Sequence, residues 1–388
     1  MTTRKSEFAI VVVGYNRCDS LKRLISSLQK VDYMGDTVDL IISIDNSGTN
    51  IVEMYANTVV WEYGEKIIRT FPERQGLRNH ILQCGDYTED YSAIAVFEDD
   101  IFVSPDFYNY MKQAVGFYKD DESIAGISLY NHMFCENCQR PFLAQKGNFD
   151  NYFLKYAQSW GQIWMTKQWR QFRQWYKNND GDIISSDKIP EYLRRWPNTS
   201  WLKYHIEYCI LENKYFVYPY DSLSTNFVEL GQHCKIPSSV YQVPMLYGHK
   251  ERYNFCRFGA EDGVYYDAFF EREIGIDRLK ISKDDVIFDI NGVRKIDSQK
   301  RYLVSSQQLG YKILEQYGYK LRPAEMNVLL GISGKSIYLY DTKERAENKF
   351  CDTTLEQWYY DTKVESLRYA GGMVLKMIKN KLKEKIMR

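Results

Sequence analysis

The chain has no surplus of either charge: 51 Lys and Arg stand against 51 Asp and Glu in 388 residues. Without a net field to draw in a polyanion, it is not expected to bind nucleic acid in general. Long hydrophobic runs are missing too. The longest early one, Phe8 to Val13, is too short to span a bilayer and ends at polar Asn16 and Arg17, so neither a membrane span nor a signal peptide is expected. Proline is scarce (9 residues) and 44% of the chain is hydrophobic, a composition that excludes disorder as the main state. The eight cysteines are scattered from Cys18 to Cys351, which points to reduced thiols in a cytoplasm. Only Cys135 and Cys138 lie close together. With no second pair at metal spacing, they read as two ordinary thiols and not as a zinc or redox site. No G-x-G-x-x-G follows the first apolar run, which disfavours a dinucleotide enzyme. Gly331-Ile332-Ser333-Gly334-Lys335-Ser336 has Leu329 where a phosphate-binding P-loop needs glycine, and reads as a turn.

What the chain has in quantity is aromatic side chains, 15% of all residues, with 33 tyrosines and 8 tryptophans. Such rings line sugar and nucleotide sites, and equally fill ordinary cores. Over the first 130 residues, strand-like and helix-like patterns alternate, the mark of an α/β fold with parallel strands. Phe8 to Val13 reads as a buried strand, followed by Leu21, Leu24, Ile25 and Leu28 at helical spacing with Asp19 placed to cap the first turn. Val38 to Ile44, the region of Ile67 and Ile68, and Ala93 to Phe97 supply three more strands, and Gly76 to Cys84 a short helix. Ser104-Pro105 is expected to open another helix. Polar residues therefore gather at the carboxyl ends of strands, where open α/β sheets bind ligands. Residues 150–215 read as helical and Trp-rich, leading into a strand at Tyr215 to Tyr218, while residues 250–345 carry no motif of recognisable chemistry.

Three strand ends carry the chemistry. Glu98-Asp99-Asp100 follows a buried strand directly, and three adjacent carboxylates repel unless a cation offsets them. Hard oxygen ligands suit Mg²⁺ or Mn²⁺, commonly held by one or two carboxylates and substrate phosphates; a solvated acidic loop is the plain alternative. Gly14-Tyr15-Asn16-Arg17 and Asp45 end the first two strands, and an aromatic, an amide and a carboxylate there can stack on and hydrogen-bond a nucleobase.

Taken together, the run FAIVVVGYNR, Asp45, the segment from Arg74 to Asn79, Glu98-Asp99-Asp100 and Ser159-Trp160-Gly161 resemble a GT-A glycosyltransferase. The likeness is to family 2-like bacterial enzymes of surface-polysaccharide synthesis, related in motif to the N-acetylglucosaminyltransferase I group. It covers roughly residues 7 to 235. The resemblance implies a GT-A type α/β fold with a mostly parallel central sheet and a metal-dependent, inverting transfer from a nucleotide sugar, a UDP-sugar first, to a hydroxyl of a glycan or lipid-linked oligosaccharide. By that likeness Gly14, Tyr15, Asn16, Arg17, Asp45, Arg74, Gly76, Leu77, Asn79, Glu98 and Asp99 would bind the donor. Asp100 and His233 would hold Mn²⁺ or Mg²⁺, and Trp160, Gly161 and Trp164 would meet the acceptor. Relatives open a later helix with Ser-Trp-Asp, whose Asp is the catalytic base, but here Ser200-Trp201 is followed by Leu202. An inverting transfer needs a group to take the acceptor's proton, and Glu207, His205 and Glu229 are the candidates in that order. A sugar-1-phosphate nucleotidyltransferase, which should carry a Gly-rich, Arg-containing loop after the first strand, and a carbohydrate-binding relative without catalysis are the competing readings.

The expected organisation is a catalytic domain over 1–240, with donor half 7–130 and acceptor half 131–240, an extension over 241–345 and a helical tail over 346–388. In that tail Val374, Leu375, Ile378, Leu382 and Ile386 fall near one helical face among Lys376, Lys379, Lys381, Lys383, Lys385 and Arg388. It reads as a solvated or partner-binding helix, or as one lying on an anionic leaflet, which would make a cytoplasmic enzyme peripheral on the inner face of the plasma membrane.

Overall fold

The computed structural model describes residues 6–179, 186, 188–227, 238–296 and 300–386. The chain divides into two compact units, one formed by residues 1–273 with 293–295 and the other by 274–292 with 296–388. Residues 241–273 thus belong with the first unit.

In the first unit β1 (Phe8–Gly14), α1 (Cys18–Leu28), β2 (Val38–Ile44), α2 (Ile51–Thr58), β3 (Lys66–Thr70) and α3 (Leu77–Gly85) alternate. There follow β4 (Ala93–Glu98), β5 (Ile101–Val103), α4 (Phe107–Tyr118), β6 (Ile124–Ser128) and a small hairpin of β7 (Phe134–Cys135) and β8 (Arg140–Pro141). Then come β9 (Asn151–Leu154), β10 (Gln162–Met165), α5 (Thr166–Asn178), α6 (Glu191–Arg194), α7 (Trp201–Leu211), β11 (Tyr215–Pro219), β12 (Ser224–Asn226) and β13 (Tyr265–Tyr266). Nine strands form one sheet in the order β13-β9-β11-β6-β10-β4-β1-β2-β3.

The sheet is mixed. Strands β3, β2, β1 and β4 are parallel, as expected, but β10 runs antiparallel between β4 and β6, and β9 antiparallel to β11. Of the parallel strands, β1, β2 and β4 are buried on both faces, which is why they read as apolar runs, whereas β3 at the sheet edge stays partly exposed. Alternate residues feed two cores: Ile10, Val12, Leu40 and Ile42 pack with α1 on one face, while Val11, Ile41, Ile94 and Val96 pack with Ile81 of α3, Trp169 of α5 and Tyr204 of α7 on the other. Two expected caps shift. Asp19 sits in the first turn of α1 paired with Lys22 at 3.0 Å and caps nothing. Helix α4 starts at Phe107, two residues beyond the expected Pro105, because Ser104 Oγ takes the N–H of Asp106 at 3.1 Å and closes a turn first.

The second unit has its own core around Ile276, Phe288, Val304, Val328 and Leu339. Its sheet has the order β14 (Val286–Asp289), β15 (Tyr302–Ser305), β17 (Ile337–Arg345) and β16 (Tyr311–Tyr317), with α8 (Glu325–Leu329) before β17 and α9 (Thr354–Thr362) and α10 (Leu367–Ile386) after it. The glycine-rich 331–336 stretch is the turn between α8 and β17.

Candidate active site

Parallel pairing brings the sequence motifs together. Gly14 is in register with Ile44, and Val13 with Glu98. The residues that follow, Tyr15 to Arg17, Asp45, and Asp99 with Asp100, therefore leave the sheet side by side at its carboxyl edge.

Asp45 is 4% exposed and its carboxylate is used on the protein itself. Oδ1 accepts the backbone N–H of Gln75 at 2.7 Å and of Asn46 at 2.8 Å, and Oδ2 accepts that of Gly76 at 3.0 Å. The sequence places Asp45 beside a base and ribose; the structure shows it clamping the 74–76 loop onto the end of β2. Gly76 precedes α3 at φ 74° and ψ 154°, a conformation essentially reserved for glycine. The clamp leaves Arg74 exposed over the Tyr15 ring, 5.2 Å from its centroid, with Leu77 and Asn79 also at the surface. Below it His80 meets Ser43 Oγ at 2.8 Å, and burial pushes its imidazole down to about 4. Arg78, within the same Arg74 to Asn79 segment, donates to Tyr204 Oη at 3.0 Å and to the Asn198 carbonyl at 3.1 Å, tying α3 to the start of α7.

At the end of β4 the repulsion among the three carboxylates is met by Arg17. Its guanidinium donates to Asp100 Oδ2 at 3.0 Å and also to Asp99 Oδ1. The sequence set Arg17 against a base; in the structure it faces the acidic triplet instead. Burial works against its charge, yet Asp100 and Asp99 hold its pKa above the ordinary arginine value. Glu98 is pushed up to about 8, first by burial and then by the charges of Asp100 and Asp99, while Arg17 and the Trp201 indole pull the other way. Burial and like charge thus favour the protonated form of Glu98, while Arg17 stands as counter-cation to the two aspartates.

The donor chemistry of this cluster, hard carboxylate oxygens with Asp100 26% exposed at its side chain, fits Mg²⁺ or Mn²⁺ held partly by substrate phosphates. Among the described residues no group of three His, Cys, Asp or Glu is placed to cage an ion. His233 and Glu229 lie outside the described residues. Just before them in sequence, Asn226 pairs with Ile101 across the β5–β12 ribbon, and the Phe227 N–H donates to the Asp100 carbonyl at 3.0 Å.

The expected acceptor side divides. Gly161, at φ 95°, stands where a Cβ would come within 2.8 Å of Ser224 Oγ, so a side chain is excluded there. Half-buried Trp160 lies against Tyr130 and Tyr241, ring centroids 4.8 and 4.7 Å apart. Its backbone is set by Gln158, whose Oε1 accepts the N–H groups of Ser159 at 2.6 Å and Trp160 at 3.0 Å while Nε2 lies 3.0 Å from His132 Nε2. The sequence signal for Gln158 was its place just before Ser-Trp-Gly, where a short polar chain can reach back to the following amides. Trp164, by contrast, is fully buried and stacked 4.1 Å from Trp169, so it is core and cannot meet an acceptor. β10 alternates its side chains across the sheet, which sends Trp164 into the second core.

His205 is core as well. It is wholly buried among Phe172, Trp169, Trp164 and Phe216, and neither ring nitrogen has a hydrogen-bond partner among the described residues. Glu207 is 2% exposed. A base must be reached by the hydroxyl it deprotonates, and both residues are closed off from solvent. Leu202, where the sequence resemblance would expect an aspartate, is half-buried on the first turn of α7, which Ser200 caps by accepting the Lys203 N–H.

Burial holds the His205 imidazole down to about 3, so the folded chain keeps it neutral where the unfolded chain, titrating near 6.5, binds a proton. Each such group costs stability as pH falls below about 6.5, by about 1.4 kcal/mol per pH unit. His205→Phe is expected to leave catalysis intact, to raise the unfolding free energy by roughly 1 kcal/mol or more by removing unpaired buried nitrogens, and to shallow the acid-side loss measured by urea unfolding between pH 7 and 5. Loss of turnover with the fold intact would return His205 to the chemistry.

No known family profile matches this sequence, and no curated protein is similar to it in sequence. Among solved structures the likenesses are partial and low. Staphylococcus aureus TarS 1–349 in complex with UDP-GlcNAc is 15% identical with a TM-score of 0.36, over 58% of this chain and 60% of that one. The mannosyltransferase PcManGT from Pyrobaculum calidifontis, in complex with GDP-Man and Mn²⁺, is 12% identical at 0.30, over 50% and 51%. GalNAc-T7 with UDP, GalNAc and Mn²⁺ is 12% identical at 0.42, over 60% and 45%. The chain thus spans about half of each of these structures, and similarity this low says nothing of substrate or mechanism.

Proposed function

We propose that the first unit is a GT-A type glycosyltransferase that moves a sugar from a nucleotide sugar, a UDP-sugar first, to a hydroxyl of a glycan or lipid-linked oligosaccharide, with inversion. The observation that carries this is the meeting, at one sheet edge, of an aromatic and arginine pair (Tyr15, Arg74), a loop clamped by Asp45, and a carboxylate triplet with its own arginine. Stacking and cation–π contact suit a base, and Arg17 beside Asp99 and Asp100 sits where charge would be balanced as a diphosphate leaves. Mn²⁺ or Mg²⁺, bound by Asp100 and joined by His233, would supply further neutralisation of that diphosphate. Trp160 offers an aromatic face to a sugar ring beside the site. With His205 and Glu207 closed off, Glu229 is the remaining base candidate. The replacement of the relatives' aspartate by Leu202 favours one second reading, a sugar-binding protein without turnover.

Incubation with UDP-, GDP- and CMP-sugars in the presence of Mn²⁺ tests the proposal. Release of nucleoside diphosphate from a UDP- or GDP-sugar is the expected result. Thermal stabilisation by a donor without any release would establish the binding protein, and pyrophosphate formed from a sugar-1-phosphate and a nucleoside triphosphate would establish a nucleotidyltransferase.

A further inference from the structure

Helix α10 carries apolar side chains that nothing in the described structure covers. Over its twenty residues, about 30 Å at the usual rise, Leu367 is 77% exposed, Leu375 62%, Leu382 55%, Val374 54% and Ile378 49%. Val374, Ile378 and Leu382 recur every fourth residue, so they share one face, with Leu375 beside it, Lys379 on its flank and Lys376 on the opposite side. In sequence, residues 376–388 hold six Lys and Arg and one Glu, a balance of +5 that leaves −5 on the remaining 375 residues. An apolar strip next to gathered lysines matches the two attractions of an anionic lipid surface, apolar burial below the headgroups and charge pairing at them. Two copies of α10 would bring like charges together, which argues against self-pairing. Among the described residues no helix is long and apolar enough to cross a membrane.

We propose that α10 docks this protein on an anionic bilayer, with Val374, Ile378 and Leu382 at the headgroup boundary and the lysines among the phosphates. The proposal does not rest on sugar transfer, and its test reads lipid binding alone. The full chain is floated with vesicles of phosphatidylcholine and with equimolar phosphatidylcholine and phosphatidylglycerol. Binding is expected only to the second, falling at least about tenfold when salt is raised well above physiological strength. Ile378→Asp and the pair Lys376→Glu with Lys379→Glu should each lower binding about tenfold or more, with the thermal midpoint unchanged because these side chains are exposed. Absence of binding, equal binding to both vesicle types, or a lipid-free dimer that Ile378→Asp breaks would each overturn the proposal.

Discussion

Asp100→Ala is expected to reduce release of nucleoside diphosphate at least about a thousandfold, equivalent to about 4 kcal/mol of transition-state stabilisation. Asp100 is the partly exposed member of the triplet and the partner of Arg17. Its removal takes away the carboxylate that would hold the ion and leaves the guanidinium held by Asp99 without its second carboxylate partner. The effect should be catalytic and not structural. Asp100 is one of the two charges that raise Glu98 to about 8, so its loss relieves repulsion and lets Glu98 ionise more readily. Thermal unfolding of the variant should therefore change little while turnover collapses, and added Mn²⁺ should not restore it. Undiminished turnover in Asp100→Ala, or full activity in the parent protein under chelation, would sink the metal-dependent reading.

Asp45→Ala is expected to cost both stability and donor affinity. The wild-type carboxylate satisfies the N–H groups of Asn46, Gln75 and Gly76, and a methyl group satisfies none of them. Stranding three partly buried amides costs on the order of 2–4 kcal/mol, readable as a lower urea midpoint with an unchanged slope. The 74–76 loop then loses its anchor on β2, so Arg74 and Tyr15 no longer hold a common geometry, and donor binding by calorimetry should weaken tenfold or more. Asp45→Asn keeps one acceptor and should fall between. If Asp45→Ala lost donor affinity without losing stability, the carboxylate would be contacting the nucleotide, as the motif suggested, and the clamp would be secondary.

The two substitutions separate what was readable in the chain from what was not. Phe8 to Gly14, Val38 to Ile44 and Ala93 to Glu98 are visible in sequence because strands covered on both faces must be continuously apolar, and the polar residues that end them mark where the sheet stops. Their neighbourhood follows, since parallel strands in register put their ends together. What those polar residues do was not legible. Arg17 and Asp100 are 83 positions apart, and Asp45 and Gln75 are 30 apart; no local pattern says which donor reaches which carboxylate. Helix α7 shows the same limit from the other side. Buried at nine of its eleven positions, it has no polar stripe to announce which residues face inward, so His205 reads in sequence as an available base and proves to be core.

The sequence by itself determined the alternation of strands and helices, the cluster of polar residues at one sheet edge and the charge imbalance between α10 and the remainder, because each depends on local periodicity or composition. Only the tertiary structure decided that Asp45 holds a loop, that Arg17 answers the acidic triplet, that Trp164 and His205 are core while Trp160 stays partly open, and that α10 leaves its apolar side chains uncovered. Those outcomes depend on which surfaces the packed chain removes from water, and that is settled by contacts between residues far apart in sequence.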